Sequence, residues 1–252
     1  METQGEAIKD TISEARKPQS RWERWIALIR GQALVGLGIV LLIIFAALTA
    51  LVFFADPTSL DLPITHEVQE LNFGPTNFLW YAVSAPGYMP YNYIVPAVII
   101  VIVALFRKYA AAAFLLAASL AVGASEIMKL LVHRVRPGGP LVIVVGTPTG
   151  YSFPSGHVTE YTLFFGACFY IAFTLLKPSF IRTVLLTICA LMIVLVGPSR
   201  IWLGAHWASD VLGGYTLGFG LLLLVIWGYR KWEERAVTKP KVESERLSVK
   251  QT

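Results

Sequence analysis

Long blocks of hydrophobic residues alternate with short polar segments along the chain. The clearest block covers residues 33–55 and contains no charged residue. A helix needs about 20 mostly apolar residues to cross the hydrocarbon core of a bilayer, so blocks of this kind predict membrane-spanning helices. The pattern predicts six spans, at 33–55, 91–106, 109–128, 158–176, 183–198 and 211–229.

The composition indicates that much of the surface faces lipid. Hydrophobic residues make up 56% of the 252 residues and charged residues only 15%, whereas charged residues are about 25% of an ordinary soluble domain. A disordered chain or a charge-rich soluble module is therefore excluded. We expect an all-α membrane protein with a six-helix bundle at 33–230. A cytoplasmic segment at 1–32, with Trp22 and Trp25 on an interfacial helix, would precede it, and a disordered cytoplasmic tail at 231–252 would follow.

The basic residues predict how the chain is oriented in the membrane. Lys and Arg accumulate on the cytoplasmic side of short loops. With both termini inside, 17 of the 21 basic residues lie inside, and the outer segments hold only Lys129, Arg134, Arg136 and Arg200. The net charge of +5 then belongs to flanks that face anionic lipid, so no nucleic-acid partner is indicated. We expect a multi-pass plasma-membrane protein.

Ionisable residues break the apolar pattern in three places, at 129–137, 154–157 and 199–210. The predicted topology brings all three segments to the outer face. Charged groups at membrane depth are costly, so this convergence indicates a functional site. The aromatic residues of the outer loop at 56–90 are typical of an interfacial belt.

The cations of these segments favour a phosphate ligand. Lys129, Arg136 and Arg200 have few acidic neighbours in the sequence, and guanidinium groups pair well with phosphate oxygens. Ser155 and Gly156 lie where a helix is predicted to begin, and free backbone N–H groups there attract an anion.

Two histidines complete the chemistry that phosphoryl transfer requires. His206 and Asp210 are four residues apart, so an expected helix brings them together and the carboxylate orients the ring. The other ring nitrogen of His206 is then a nucleophile or a base, and His157 can protonate a leaving oxygen. A metal site made by the same three residues is the rival interpretation, although three neighbouring cations would repel a divalent ion. A Ser155 nucleophile is disfavoured because no G-x-S-x-G elbow surrounds it.

These residues resemble the motifs of the type 2 phosphatidic acid phosphatase (PAP2) superfamily. Its motifs are K-x6-R-P, P-S-G-H and S-R-x5-H-x3-D. The chain reads Lys129 with Arg136-Pro137, then Pro154-Ser155-Gly156-His157, then Ser199-Arg200 with His206 and Asp210, in the same order. The resemblance covers roughly residues 33–230 and the six-span frame.

The resemblance implies a metal-independent phosphatase without a cofactor. It implies that His206 is the nucleophile and forms a phosphohistidine, that Asp210 orients it and that His157 is the general acid and base. Lys129, Arg136, Ser155, Gly156 and Arg200 would bind the phosphate. The implied substrate is a membrane lipid phosphate, either an isoprenyl diphosphate such as undecaprenyl diphosphate, or phosphatidylglycerol phosphate or phosphatidic acid.

Other functions and residues remain open at this stage. A lipid phosphotransferase would use the same intermediate, and a non-catalytic lipid-phosphate binding or transport protein would use the same pocket. Glu126, one turn from Lys129, and Glu160, one turn past His157, are expected to support the site rather than react. Arg134 is a possible supporting residue, which either contacts a second phosphate or meets lipid headgroups.

Overall fold

The computed structural model describes residues 21–71 and 74–249, and this part of the chain is helical without β-strands. The expected all-α class is therefore confirmed. The predicted segment 1–20 and the side chains of Trp22 and Trp25 lie outside the described residues. The helices are α1 (Arg21–Ala55), α2 (Thr58–Glu70), α3 (Phe78–Ser84), α4 (Tyr91–Leu105), α5 (Tyr109–Leu120), α6 (Gly123–Val132), α7 (Gly156–Leu175), α8 (Phe180–Trp202) and α9 (Ala208–Val249).

Five helical segments in the described part of the chain are long and apolar enough to cross a bilayer. They are Gly31–Ala55, Tyr109–Val132, Gly156–Leu175, Phe180–Trp202 and Ala208–Ala236. Many large apolar side chains on their outer surfaces are exposed, for example Ile43, Phe54 and Val194. Such a surface is stable against hydrocarbon rather than water, so the protein is a multi-pass membrane protein.

The predicted second span at 91–106 corresponds to α4, which forms a bent pair with the segment before it. Helix α4 has only 15 residues, and it joins the segment Phe78–Gly87 at an angle of 67°. Pro86 and Pro90 lie at this bend, and proline has no backbone N–H with which to continue a helical ladder. The described residues hold six candidate spans if this bent pair counts as one.

The last helix is longer than the sequence predicts. The expected tail at 231–252 begins inside α9, which is helical as far as Val249. Contacts between successive turns support the helix as far as Glu234, because the Tyr229 hydroxyl donates to Glu233 at 2.6 Å and Lys231 pairs with Glu234 at 3.0 Å. The helix therefore continues beyond the predicted end of the last span.

The core of the bundle lies where α5, α7 and α9 meet. Ala111, Phe114 and Leu115 of α5 pack against Leu163 and Ala167 of α7, and the same cluster includes Leu222 and Ile226 of α9. Helix α9 also packs along α1, and α7 packs along α8. This packing brings the end of α6, the start of α7, the end of α8 and the start of α9 together, and the three predicted motifs lie on these helix ends.

Candidate active site

A single cavity of about 1030 Å³ collects most of the residues that the sequence singles out. Its walls include Lys129, Arg136, Gly156, His157, Arg200 and His206. Ser155 and Asp210 lie next to these residues in the interior, joined by a hydrogen bond of 3.0 Å from the Ser155 backbone N–H to the Asp210 carbonyl. The three sequence segments therefore meet at one place.

The His206 ring is buried, and its contacts assign its protonation. Nη1 of Arg136 lies 3.1 Å from Nε2, and a guanidinium can only donate hydrogen bonds. Nε2 is therefore the acceptor, and the ring proton of the neutral imidazole is on Nδ1. This leaves an unprotonated nitrogen next to the cationic wall of the cavity.

The pKa of His206 is lowered to about 3, mainly by burial and partly by the nearby charge of Arg136, whereas the Asp210 carboxylate acts in the opposite direction. Burial also lowers the pKa of Arg136 from its ordinary value, and the neighbouring Arg200 contributes to the same shift. The imidazole is therefore neutral at physiological pH. The two guanidinium groups form a positive region, and a bound anion would reduce the repulsion between them.

Ser152 lies between His206 and Asp210. The closest Nδ1 to Oδ2 distance between the two is 3.6 Å, which is longer than a hydrogen bond. The Ser152 hydroxyl lies 3.4 Å from Nδ1 and donates a short hydrogen bond to Oδ2 of Asp210. The backbone N–H of Trp207 donates to the same oxygen at 2.8 Å. The carboxylate is thus fixed beneath the ring and linked to it through a hydroxyl.

His157 lies in the first turn of α7, against the corner that joins α3 and α4. The Tyr88 ring meets the imidazole edge to face, with ring centres 4.8 Å apart. A Cβ atom on Gly87 would lie 2.8 Å from Nε2 of His157, so the corner can approach this closely only with glycine at that position. His157 is held in the cavity wall by these two neighbours.

The three predicted phosphate ligands are held by different partners. Arg136 donates to the carbonyls of Thr149, Gly150 and Ala205 at 2.7–3.1 Å. Lys129 pairs with Glu126 at 2.7 Å. Arg200 donates to the Tyr88 hydroxyl at 2.6 Å and to the Ser84 hydroxyl at 3.3 Å. The cations are therefore oriented before a ligand binds.

The start of α7 provides a close approach to the backbone. Ser155 has the extended conformation of a helix N-cap, and Gly156 is the first helical residue. A Cβ on Gly156 would lie 2.8 Å from Nζ of Lys129. Without a side chain there, Lys129 can lie against the positive end of the helix dipole, which favours an anion between them.

Several buried polar atoms around the cavity lack a hydrogen-bond partner among the described residues. They include the Ser155 hydroxyl, Nε2 of His157 and Nε of Arg200. Buried polar groups are nearly always paired in proteins, and each exception needs an explanation. A bound phosphate would give such groups acceptors, so their positions fit an anionic ligand.

The two acidic residues expected to support the site lie beside the cavity. Glu126 and Glu160 both belong to its wall, Glu126 on α6 in contact with Lys129 and Glu160 one turn after His157 on α7. Within the described residues, no group of three or more His, Cys, Asp or Glu side chains is arranged to hold a metal ion.

Arg134 differs from both of the expectations for it. Its guanidinium is buried, donating to Asp210 at 2.6 Å and to Asp61 at 2.7 Å. It therefore faces neither a second phosphate nor lipid headgroups. The reason is that the backbone turns after α6, with His133 in the left-handed conformation at φ 54°, and this turn directs Arg134 into the protein.

Three residues of the site were not anticipated from the sequence: Asp61, Tyr88 and Ser152. Asp61 and Tyr88 come from the segment at 56–90, which was interpreted only as an aromatic outer loop. Ser152 stands two residues before Pro154, and that proximity was the available signal. Asp61 is one of four carboxylates between the first two predicted spans, and nothing in the sequence distinguishes it from the others. Tyr88, one of many aromatic residues there, is equally hard to single out.

The sequence model of one family matches residues 108–234, about half of the chain, and its description is the PAP2 superfamily. A phosphatidylglycerophosphatase B from Bacillus subtilis is 39% identical over 108 residues, which are 40% of this chain and 49% of that protein. An undecaprenyl-diphosphatase from Sulfolobus acidocaldarius is 29% identical over 42% of this chain and 49% of its own length.

A decaprenylphosphoryl-5-phosphoribose phosphatase from Mycobacterium tuberculosis is 41% identical over 36% of this chain and 46% of that protein. The chain thus spans about half the length of the curated relatives it matches. A solved structure, of a transmembrane PAP2 type phosphatidylglycerolphosphate phosphatase from Bacillus subtilis, has a TM-score of 0.66 to this chain. The two sequences are 24% identical, and the match covers 79% of this chain and 96% of that chain. At that identity the likeness shows the fold.

Proposed function

Because the chain belongs to the PAP2 superfamily, we propose that it is an integral-membrane lipid phosphatase. Its substrate would be an isoprenyl diphosphate of the undecaprenyl type, or phosphatidylglycerol phosphate or phosphatidic acid. The relatives named above are phosphatases of lipids with phosphate-bearing headgroups, and this shared chemistry supports the proposal.

One observation carries the proposal: a cationic region and an apolar region share one cavity. Lys129, Arg136 and Arg200 form its charged part. Beyond them the same cavity is bounded by residues of α4 and α5, among them Pro96, Ala97, Ile100, Leu116 and Leu120. A phosphate would bind the first part and a hydrocarbon chain the second.

The proposed first step transfers the phosphoryl group to His206. Nε2 attacks phosphorus, the bond from phosphorus to the leaving oxygen breaks, and His157 gives that oxygen a proton. The cations stabilise the charge on the three equatorial oxygens. The products are a phosphohistidine and a lipid alcohol, or a lipid monophosphate if the substrate is a diphosphate.

The second step returns the enzyme to its starting state. Water attacks phosphorus, His157 takes the proton of the water, and the bond from phosphorus to Nε2 breaks. Inorganic phosphate leaves and His206 is again neutral. Asp210 would stabilise the imidazolium that both steps require, with Ser152 as the link to Nδ1.

The proposed orientation places the cavity at the outer face of a plasma membrane, with both termini in the cytoplasm. The distribution of charge supports it, because the four cations at the site end are exceptions among the 21 basic residues of the chain. A lipid would then enter sideways at headgroup level.

Phosphate release by the purified protein tests this function. We expect release from at least one lipid phosphate, release that persists in EDTA because side chains supply the positive charge, and a loss of about 10³-fold or more in His206→Ala. Following labelled phosphate in mixed lipids detects transfer to a second lipid instead of water. Binding of the lipids without release by the wild-type protein would contradict the proposal.

A further inference from the structure

We propose that Asp61 and Arg134 are positioning residues that hold the Asp210 carboxylate beneath His206, which makes the short helix α2 part of the catalytic apparatus. This inference rests on the proposed function, since it takes His206 as the group that reacts with phosphate. Neither residue belongs to the wall of the cavity, so both would act through Asp210.

One guanidinium is shared between two buried carboxylates. Nη1 of Arg134 donates to Oδ1 of Asp210 at 2.6 Å, and Nη2 donates to Oδ2 of Asp61 at 2.7 Å. All three side chains are buried, with exposed fractions of 5% for Arg134, 0% for Asp210 and 4% for Asp61. Breaking a buried pair by removing one partner leaves an uncompensated charge, so the three groups function as a unit.

Asp61 also fixes the start of α9, the helix that carries Asp210. Its Oδ1 accepts from the backbone N–H of Ser209 at 2.8 Å, and its Oδ2 accepts from the Ser209 hydroxyl at 2.6 Å. The first N–H groups of a helix have no partner within the helix, and a carboxylate placed there also interacts well with the dipole. Asp61 therefore anchors the residue adjacent to Asp210 and limits movement of the carboxylate.

The charges of this unit match the proposed reaction. Two carboxylates and one guanidinium carry a net charge of −1. The +1 charge of the imidazolium ring, counted apart from the phosphoryl oxygens that the cations of the cavity neutralise, would bring the sum to zero. The attraction between opposite charges is stronger in a buried setting than in water. If Asp61 were uncharged, Arg134 would be directed to Asp210 alone, and Asp210 would stabilise the imidazolium less.

Helix α2 lies before the segment that the PAP2 family model matches, residues 108–234. The contribution of Asp61 is thus a property of this chain's own N-terminal half. Helix α2, which the sequence predicts only as part of an outer loop, would thus support the nucleophile.

Asp61→Asn tests the inference with the least change of shape. The amide oxygen can still accept from the Ser209 N–H, while the charge is lost. We expect kcat to fall by about 10- to 100-fold through misplacement of the reacting groups, with KM within about threefold, since the substrate does not touch Asp61. Asp56→Asn is the matched control, because this exposed carboxylate lies 3.8 Å from the same nitrogen of Arg134, and we expect its kcat within about twofold of wild type.

A comparison with Asp210→Asn separates positioning from a general loss of structure. Because Asp61 is proposed to act through Asp210, adding Asp61→Asn to Asp210→Asn should lower kcat by less than about twofold. The inference would be overturned if Asp61→Asn lowered kcat by the same factor in wild type and in Asp210→Asn. It would also be overturned if the kcat of Asp61→Asn equalled that of wild type. Thermal unfolding in the same detergent should show that Asp61→Asn still unfolds in one cooperative transition, with a midpoint above the assay temperature.

The proposed function is assessed separately in the same series. If wild type releases phosphate and His206→Ala does not, the function stands whatever Asp61→Asn does. If wild type releases no phosphate, it is the proposed function that fails.

Discussion

At the scale of single residues, the neighbours of His206 suit the proposed role of nucleophile better than that of acid. Burial disfavours its charged form, and Arg136 donates to Nε2, the nitrogen that attacks in the proposed reaction. The proton remains on Nδ1, next to Ser152 and Asp210. The same guanidinium that would bind phosphate therefore also selects the tautomer that the proposed reaction requires.

This arrangement predicts that His206 does not titrate near neutral pH. An exposed imidazole has a pKa of about 6.5, whereas burial lowers the pKa of His206 to about 3. Nitrogen-15 spectra of histidine-labelled protein, assigned by loss of one signal in His206→Gln, should show a neutral ring from pH 5 to pH 8. A midpoint near pH 6.5 for that signal would contradict the assignment.

The lowered pKa of His206 also makes the free energy of unfolding depend on pH. The unfolded imidazole takes up a proton below about pH 6.5, and the folded one does so only near pH 3. The contribution of His206 to the free energy of unfolding is therefore fully present above pH 6.5 and is lost as the pH falls toward 3.

The sequence indicates the proposed reactive residues better than their supports. His206 and Asp210 are recognisable because of their spacing of four residues, but the expectation that one helix carries both is wrong. Helix α9 begins at Ala208, and His206 lies in the turn before it. The hydroxyl of Ser152 between them arrives from a loop, and Asp61 arrives from a helix nearly 150 residues earlier in the chain. Contacts at such distances depend on tertiary packing, which local spacing does not encode.

At the scale of elements, the corner between α3 and α4 forms part of the site. It places Gly87 against His157 and Tyr88 against both His157 and Arg200. The bend of 67° at this corner brings an outer segment into the cavity wall. An interfacial belt alone does not account for Tyr88, although other aromatic residues of the segment, such as Phe78, are exposed.

Gly87→Ala should impair catalysis without unfolding the protein. The added methyl group would lie 2.8 Å from Nε2 of His157, so the ring or the corner must move. We expect kcat/KM for phosphate release to fall by about 100-fold, because small displacements of reacting groups have effects of that size. Gly36→Ala is the control, since a Cβ there meets nothing within 4 Å. Equal rates in the two variants would refute this role of the corner.

Hydrophobic length predicts where the spans begin and end more accurately than it predicts their shape. The expected fifth span at 183–198 corresponds to Phe180–Trp202, and the expected fourth at 158–176 to Gly156–Leu175. The bend before α4 was missed because prolines at a span boundary are compatible with a simple loop. The continuation of α9 past residue 230 is not evident from the sequence, because the polar residues there suit a tail as well as a helix.

At the scale of the whole molecule, four helix ends meet at one end of the bundle. The last turn of α6 supplies Lys129, the first turn of α7 supplies His157, the last turns of α8 supply Arg200, and the start of α9 supplies Asp210. Membrane helices cannot leave polar backbone in contact with lipid, so their ends are natural places for a polar site. The fold thereby joins an anion-binding cluster to an apolar cavity.

The most direct measurement is detection of the phosphoenzyme. Wild-type protein mixed with a lipid carrying a labelled terminal phosphate should be quenched within milliseconds in alkaline detergent and analysed for label bound to protein. The account predicts label that is stable to alkali and labile to acid, as for a phosphorylated imidazole, and that is missing from His206→Ala. Released phosphate without any such protein-bound label, or label retained by His206→Ala, would contradict it.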